Sequence, residues 1–186
     1  MLYASLLAAL AFIQNASVAP KTDAIVSGVD GRVESYFGVP VSIDIDGVPS
    51  LNLKHRRSSL YTGEGITSRT EIIGGRNGVE LVVSFNRRGK MLAITTTSRK
   101  AMDPRGVKVG NSLANVQAIW PCGKLYYGRS IEGGQRFARF LTGTNVVLEM
   151  STTSFENLPI LRVEKIKIVD FETSVFSEKK CLSNPR

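Results

Sequence analysis

DPRGVKVGNSLANVQAIWPCGKLYY, residues 103–127, holds a helix entry, a helix face, a stop and a strand in one segment. Gly110 precedes Asn111 and Ser112, and either side chain can accept from the first free backbone amides of a helix. Leu113, Val116, Ala118, Ile119 and Trp120 then fill most of one helical face. Pro121 has no amide hydrogen to donate and stops the run. Lys124 to Tyr127 follows as a strand. The segment predicts a short helix that lies on a sheet rather than one that belongs to a bundle.

On either side the pattern is mostly strand. Gly78 to Phe85 (GVELVVSF) and Met91 to Thr97 (MLAITTT) flank Asn86-Arg87-Arg88-Gly89-Lys90, whose glycine and polar content is that of a hairpin loop. Arg136 to Leu141 and Asn145 to Met150 flank Thr142-Gly143-Thr144 in the same way. Leu161 to Phe171 alternates, with Val163, Ile166 and Ile168 apolar while Glu164, Lys165 and Lys167 break the run, and it reads as a half-exposed final strand. Thr70 to Ile73 is a weaker strand, and Val41 to Asp46 (VSIDID) alternates up to a turn at Asp46-Gly47. A second helix is expected over Asp30 to Phe37, which opens on a capping residue and places Val33 and Phe37 four apart. These elements sum to an α+β domain, an antiparallel sheet with two short helices packed on it. Gly28 to Pro40 and Gly110 to Pro121 also echo one another in a glycine, a capping residue, a valine, an aromatic and a proline, which suggests a duplicated helix-plus-sheet unit.

The 186 residues, 42% hydrophobic and 22% charged, have ordinary globular usage and suit one domain with a core of its own. Residues 1–19 carry no charge. The apolar run Leu2 to Ile13 is shorter than the roughly 20 residues a spanning helix needs, and it fits the core of a secretory signal peptide. Ser17-Val18-Ala19 supplies the small residues of a cleavage site, although no Lys or Arg precedes the run and Pro20 follows the cut. The expectation is a leader over 1–19 and a single domain over 20–186, periplasmic or secreted. A buried N-terminal helix is the alternative. In an oxidising compartment the only two cysteines, Cys122 and Cys181, would form one disulfide. Closing a loop of about 60 residues contributes up to about 4 kcal/mol. The other reading of Cys122 is a reactive thiol.

Few residues suggest a reaction. One histidine excludes any site needing two, and two cysteines exclude a four-cysteine metal site. His55 sits in Lys54-His55-Arg56-Arg57, where neighbouring cations disfavour its protonation. Ser177-Glu178-Lys179-Lys180 has the spacing S-x-x-K without the companion motifs of a serine acyltransferase. Asp44 and Asp46, two apart on the expected strand, would point the same way. Such a pair could serve acid–base chemistry in a small hydrolase or transferase, but it lacks the spacing of a calcium loop. Gly74-Gly75-Arg76-Asn77-Gly78 could offer amides to an anion but matches no phosphate-binding fingerprint. No cofactor and no metal site is expected.

Charge is the feature with consequences. The chain carries 24 Lys and Arg against 16 Asp and Glu, net +8, all of it outside the uncharged leader. Three clusters stand out, each expected in a loop: Lys54, Arg56 and Arg57; Arg87, Arg88 and Lys90; and Arg99, Lys100, Arg105 and Lys108. Clusters that share a face concentrate anionic partners. Arg56, Arg57, Arg87, Arg88 and Lys90 are the candidate contacts. No aromatic residues interleave with them, so nucleic acid is the expected partner only if residues 1–19 are not a leader.

Within Gly89 to Phe171 the chain resembles a bacterial family of unknown function typified by the sigma-E-regulated envelope lipoprotein. The resemblance rests on Ile94-Thr95-Thr96-Thr97-Ser98 and Pro104-Arg105-Gly106-Val107-Lys108-Val109-Gly110-Asn111-Ser112. It continues through Cys122-Gly123-Lys124, Gly143-Thr144-Asn145-Val146-Val147-Leu148 and Val163-Glu164-Lys165-Ile166-Lys167-Ile168. A similar helix entry occurs in small periplasmic binding and assembly modules, including those with the β-lactamase-inhibitor type of repeat. No cysteine lies in or just after residues 1–19, so anchoring through an N-terminal cysteine is not expected. The resemblance implies an envelope address and no catalytic residue. The function expected is a non-catalytic binding, inhibitory or assembly-accessory module for an anionic envelope component or a protein partner.

Overall fold

The computed structural model describes residues 24–63, 66–129, 136–151 and 161–170, without the side chains of residues 56–63, 66, 67 and 129. The described chain is almost entirely β. Ile25–Ser27 (β1), Val33–Tyr36 (β2) and Val39–Pro40 (β3) make a three-stranded sheet in sequence order. The large sheet contains Lys54–Gly63 (β4), Ile66–Gly74 (β5), Glu80–Asn86 (β6), Met91–Thr96 (β7), Lys124–Arg129 (β8), Arg136–Leu141 (β9), Val146–Met150 (β10) and Val163–Val169 (β11). Its order is β4-β5-β6-β7-β11-β10-β9-β8, antiparallel throughout. Two four-stranded meanders therefore meet at their last strands, with Ile94 opposite Ile168. The only α-helix among the described residues, Leu113–Ile119 (α1), carries the chain from β7 at the centre to β8 at the far edge.

The α+β expectation is thus corrected to a mostly-β fold with one short helix. The helix expected over Asp30 to Phe37 is the β1–β2 turn and β2 itself. Asp30 Oδ1 accepts from the Arg32 amide, two residues on, at 3.0 Å; this closes a turn at Gly31 (φ 74°) instead of capping a helix. The Val33 amide and carbonyl are both bonded, at 2.8 Å, to the side-chain amide of Asn145. A partner that far along the chain leaves no local signal. The duplicated helix-plus-sheet unit falls with this helix, although each half does contribute four consecutive strands. The alternating Val41 to Asp46 is not a strand either: Asp44 forms a lone bridge to Lys90, and Ile45–Ser50 is a 3-10 helix.

Elsewhere the expected elements stand. Ser112 caps α1, accepting from the Asn115 amide at 3.3 Å, and Leu113 and Val116 are buried beneath it. One apolar core joins both sheets and the helix, built from Tyr36, Phe37, Leu81, Phe85, Ile94, Trp120, Phe140, Leu148 and Ile166 among others. Asp103 ties the loop before α1 to this core. It is 1% exposed and accepts from the Arg105 and Val107 amides (2.9 and 2.8 Å) and from Trp120 Nε1 (2.6 Å). Among the described residues no helix is long and apolar enough to cross a membrane.

Candidate functional site

The three basic clusters do not converge. Lys54 pairs with Gly74, which pairs with Glu80, and the Thr96 hydroxyl donates to the Glu80 carbonyl; β4 therefore starts at the end of the sheet where β7 finishes. Lys54, Arg56 and Arg57 belong to edge strand β4, not to a loop, and share that end with Arg99 and Lys100. The side chains of Arg56 and Arg57 lie outside the described residues. Arg87, Arg88 and Lys90 occupy the β6–β7 turn at the opposite end. Asn86 Oδ1 accepts from the Arg88 and Lys90 amides (2.8 and 3.1 Å) and shapes that turn.

Two candidates from rival readings meet there. Lys90 Nζ donates to Asp44 Oδ2 at 3.0 Å, both side chains well exposed, so a proposed anion contact and half of the proposed acid pair neutralise one another. Asp46 is exposed in the first turn of the 3-10 helix. His55 does have a carboxylate neighbour: its Nε2 bonds Glu71, which is 1% exposed and also accepts from Arg69 Nε at 2.8 Å. His55 lies opposite Ile73, two residues along from Glu71, just before a bulge between His55 and Arg57. Gly74 to Gly78 is a strand connection in which Gly75 lies against Phe37 and Leu81. Cys122 is exposed just after α1, whereas Cys181, residues 1–19 and Ser177 to Lys180 lie outside the described residues.

A stronger cation cluster lies on the face of the large sheet turned away from the core. Core-facing Ala138, Phe140, Leu148, Met150, Ile166 and Ile168 leave Phe137, Arg139, Leu141, Val147, Glu149, Lys165 and Lys167 on the other side. Register then aligns Tyr126, Arg139, Glu149 and Lys165 across four adjacent strands, with Lys124, Leu141, Val147, Lys167 and Thr95 in the next row. Neighbouring strands are about 4.8 Å apart, so the side chains of a row touch. Arg139 Nε is 3.7 Å from one Glu149 oxygen and Lys165 Nζ 3.3 Å from the other. The Arg139 guanidinium also lies 4.4 Å over the Phe137 ring, and that ring covers Gly128, where a Cβ would come within 2.3 Å of it.

Among the described residues, Glu149 pairs with both Arg139 and Lys165 and also acts on Lys167. Burial lowers the Lys167 ammonium below the usual lysine range; Glu149 opposes this, and the like charges of Arg139 and Lys165 reinforce it. Arg139, Lys165 and Lys167 thus share the Glu149 carboxylate. The sequence marks Lys165 and Lys167 as polar breaks in a half-exposed strand, but the bulge at Glu164 sets their side, and Arg139, Lys124 and Tyr126 join them only through strand order.

A separate groove of about 480 Å³ between the two sheets is lined by Asp30, Arg32, Val33, Glu34, Val41, Ser42, Asn145 and Asp170. Arg32 pairs with Asp30 at 3.1 Å, and with Glu34 and Asp170 also present the lining is net acidic. Among the described residues no group of three or more His, Cys, Asp or Glu could hold a metal ion.

No family model and no curated protein matches the chain. Among solved structures it is similar to the uncharacterized protein yfeY from Escherichia coli, at 16% identity and a TM-score of 0.49, over 74% of this chain and 97% of that one.

Proposed function

We propose that this protein is an exported envelope module that binds an anionic partner non-catalytically, through the outer face of its large sheet. The observation that carries this reading is the group of Arg139, Lys165 and Lys167 gathered around Glu149. Like charges held together on rigid strands cost free energy that an anionic ligand relieves on arrival. The overall +8 steers such a ligand from a distance, and the charge-free, leader-like residues 1–19 supply the envelope address. The loop cations Arg87, Arg88 and Lys90 contribute to the long-range field from the opposite end of the sheet to Lys54.

The test is a titration of the purified protein with polygalacturonate, inorganic polyphosphate, duplex DNA and phosphatidylglycerol vesicles across a salt series. Saturable binding to at least one envelope-type polyanion is expected, with affinity falling linearly against the logarithm of salt concentration. No binding to any of them at low salt overturns the proposal. Preference for DNA over the other three overturns its envelope part.

A further inference from the structure

The anionic-partner reading leaves the ligand's chemistry open, and the outer face narrows it. We infer that this face takes an acidic glycan, a sugar chain bearing carboxylates or phosphates, with Arg139, Lys165 and Lys167 holding the anionic groups and Tyr126 stacking on a sugar ring. The inference rests on the reading above and deepens it.

Three features favour a glycan. Tyr126 is 45% exposed and stands directly opposite Arg139 on the edge strand β8, so an aromatic plane and a cation are presented side by side. A sugar needs both: an apolar C–H face to lie on a ring, and charged donors for its acid groups. The cations are also close together. Arg139 and Lys165 start about 10 Å apart on the strands either side of β10 and both reach Glu149, and Lys165 and Lys167 are about 7 Å apart along β11. Such a group suits a ligand that carries more than one anionic group along its chain. Finally, the apolar side chains on this face are recessed. Val147 is 6% exposed, Phe137 lies between Gly128 and Arg139, and Leu141 is half-buried. A membrane surface would be met by several protruding apolar groups, whereas among the described residues of this face Tyr126 is the large apolar-bodied side chain that stands well exposed.

The experiment compares the full chain with three variants: Tyr126→Ala, Lys165→Gln/Lys167→Gln and Arg87→Gln/Arg88→Gln/Lys90→Gln. The probes are polygalacturonate of defined length, uncharged dextran, inorganic polyphosphate and phosphatidylglycerol vesicles. Polygalacturonate should bind and dextran should not. The paired lysine change should weaken polygalacturonate binding about tenfold or more, the loss expected when one or two charge-assisted contacts go. Tyr126→Ala should weaken polygalacturonate several-fold and leave polyphosphate unchanged, because only the sugar stacks. The loop variant should change affinity less than either.

Lys165→Arg/Lys167→Arg keeps the charges and should keep the binding; an unfolding midpoint measured on each variant identifies a folding defect. Should the loop variant abolish polygalacturonate binding and the lysine pair leave it intact, the face assignment fails while a polyanion-binding function survives. Vesicles bound more tightly than any glycan, with no effect of Tyr126→Ala, would overturn the glycan and point to a lipid surface. Failure of every polyanion to bind the parent removes the underlying reading itself.

Discussion

Asp103→Asn tests how the loop before α1 is held, and the structure sets its size. Asp103 Oδ1 accepts two backbone amides, from Arg105 and Val107, and Oδ2 accepts Trp120 Nε1–H. Asparagine offers a single acceptor oxygen. If that oxygen keeps the two amides, its NH2 group faces the indole N–H, donor against donor; if the amide flips, the two backbone donors lose their acceptor. Either way at least one buried donor is orphaned, at about 1–3 kcal/mol, and the bonds that remain lose their charge assistance, roughly another 1 kcal/mol. Relief of burying a carboxylate offsets part of this. The expected net loss is about 2–3 kcal/mol, or roughly 5–10 °C in Tm for a chain of this size.

Trp120 is the only tryptophan, and Arg105 lies 4.1 Å over its ring, so its fluorescence reports on this contact directly. Urea unfolding followed by fluorescence and, separately, by far-ultraviolet circular dichroism should show coincident transitions shifted to lower urea, with an altered native emission. The pH dependence gives an independent arm. Burial raises the Asp103 carboxyl above its ordinary value, against the opposing pull of the donated hydrogen bonds. The native state then holds this proton more tightly than the unfolded chain. The group's contribution to stability is greatest below about pH 3.9 and declines as pH rises through the raised native value. Asp103→Asn should lack that decline. A variant within about 0.5 kcal/mol of the parent, with unchanged emission, would refute the argument that this carboxylate organises the loop.

Three further outcomes are expected. Gly128→Ala should destabilise by about 1–3 kcal/mol in chemical unfolding, because its methyl would stand 2.3 Å from the Phe137 ring; Gly128→Ala with Phe137→Ala should recover part of the loss, and no recovery would sink the clash argument. Asn145→Ala removes both bonds to Val33 and leaves its buried amide and carbonyl without that partner; a loss of about 2–4 kcal/mol and faster hydrogen exchange in β2 are expected, and unchanged exchange would count against the amide as the tie between the sheets. Lys167→Met removes a cation whose ammonium is held low in the native state; the parent should gain stability as pH rises from that lowered value towards about 10.4, and the variant should be at least as stable at neutral pH and show no such gain. An unchanged alkaline slope in Lys167→Met would refute the reading that burial holds this ammonium low.

The parts of this fold that were legible in sequence are those whose hydrogen-bond partners lie close along the chain. The β6–β7 and β9–β10 hairpins carry turn chemistry between alternating strands, and α1 carries its own cap and stop. The errors have the opposite character. Asp30 to Phe37 has the spacing of a helix, yet Asn145 takes up the Val33 backbone from the far side of the molecule. β4 reads as a basic loop because it holds charge without apolar alternation; it is a strand because β5 pairs with it along its whole length. Asp44 and Asp46 alternate as a strand would, but the Asp44 carbonyl accepts the Gly47 amide at 2.9 Å and winds the chain into a 3-10 helix.

The candidate site divides along the same line. Sequence clusters of cations proved poor guides, since clusters close in sequence are placed at opposite ends of the sheet. Arg139 and Lys165 are far apart in the chain and carry no shared motif. They face one another across Glu149 only because the second meander runs back from the far edge, β8-β9-β10-β11, to pair with β7. Strand order is a property of the whole chain, set by which apolar faces can share one core. A charge pattern written across four strands therefore becomes visible only after the core-facing residues have been assigned. The same alternation that buries Phe140, Leu148 and Ile166 puts Arg139, Glu149 and Lys165 on the opposite side. A one-residue slip in β11 would carry Lys165 and Lys167 to the core side and Ile166 outward, so the register that holds the core together is also the register that assembles the cation row.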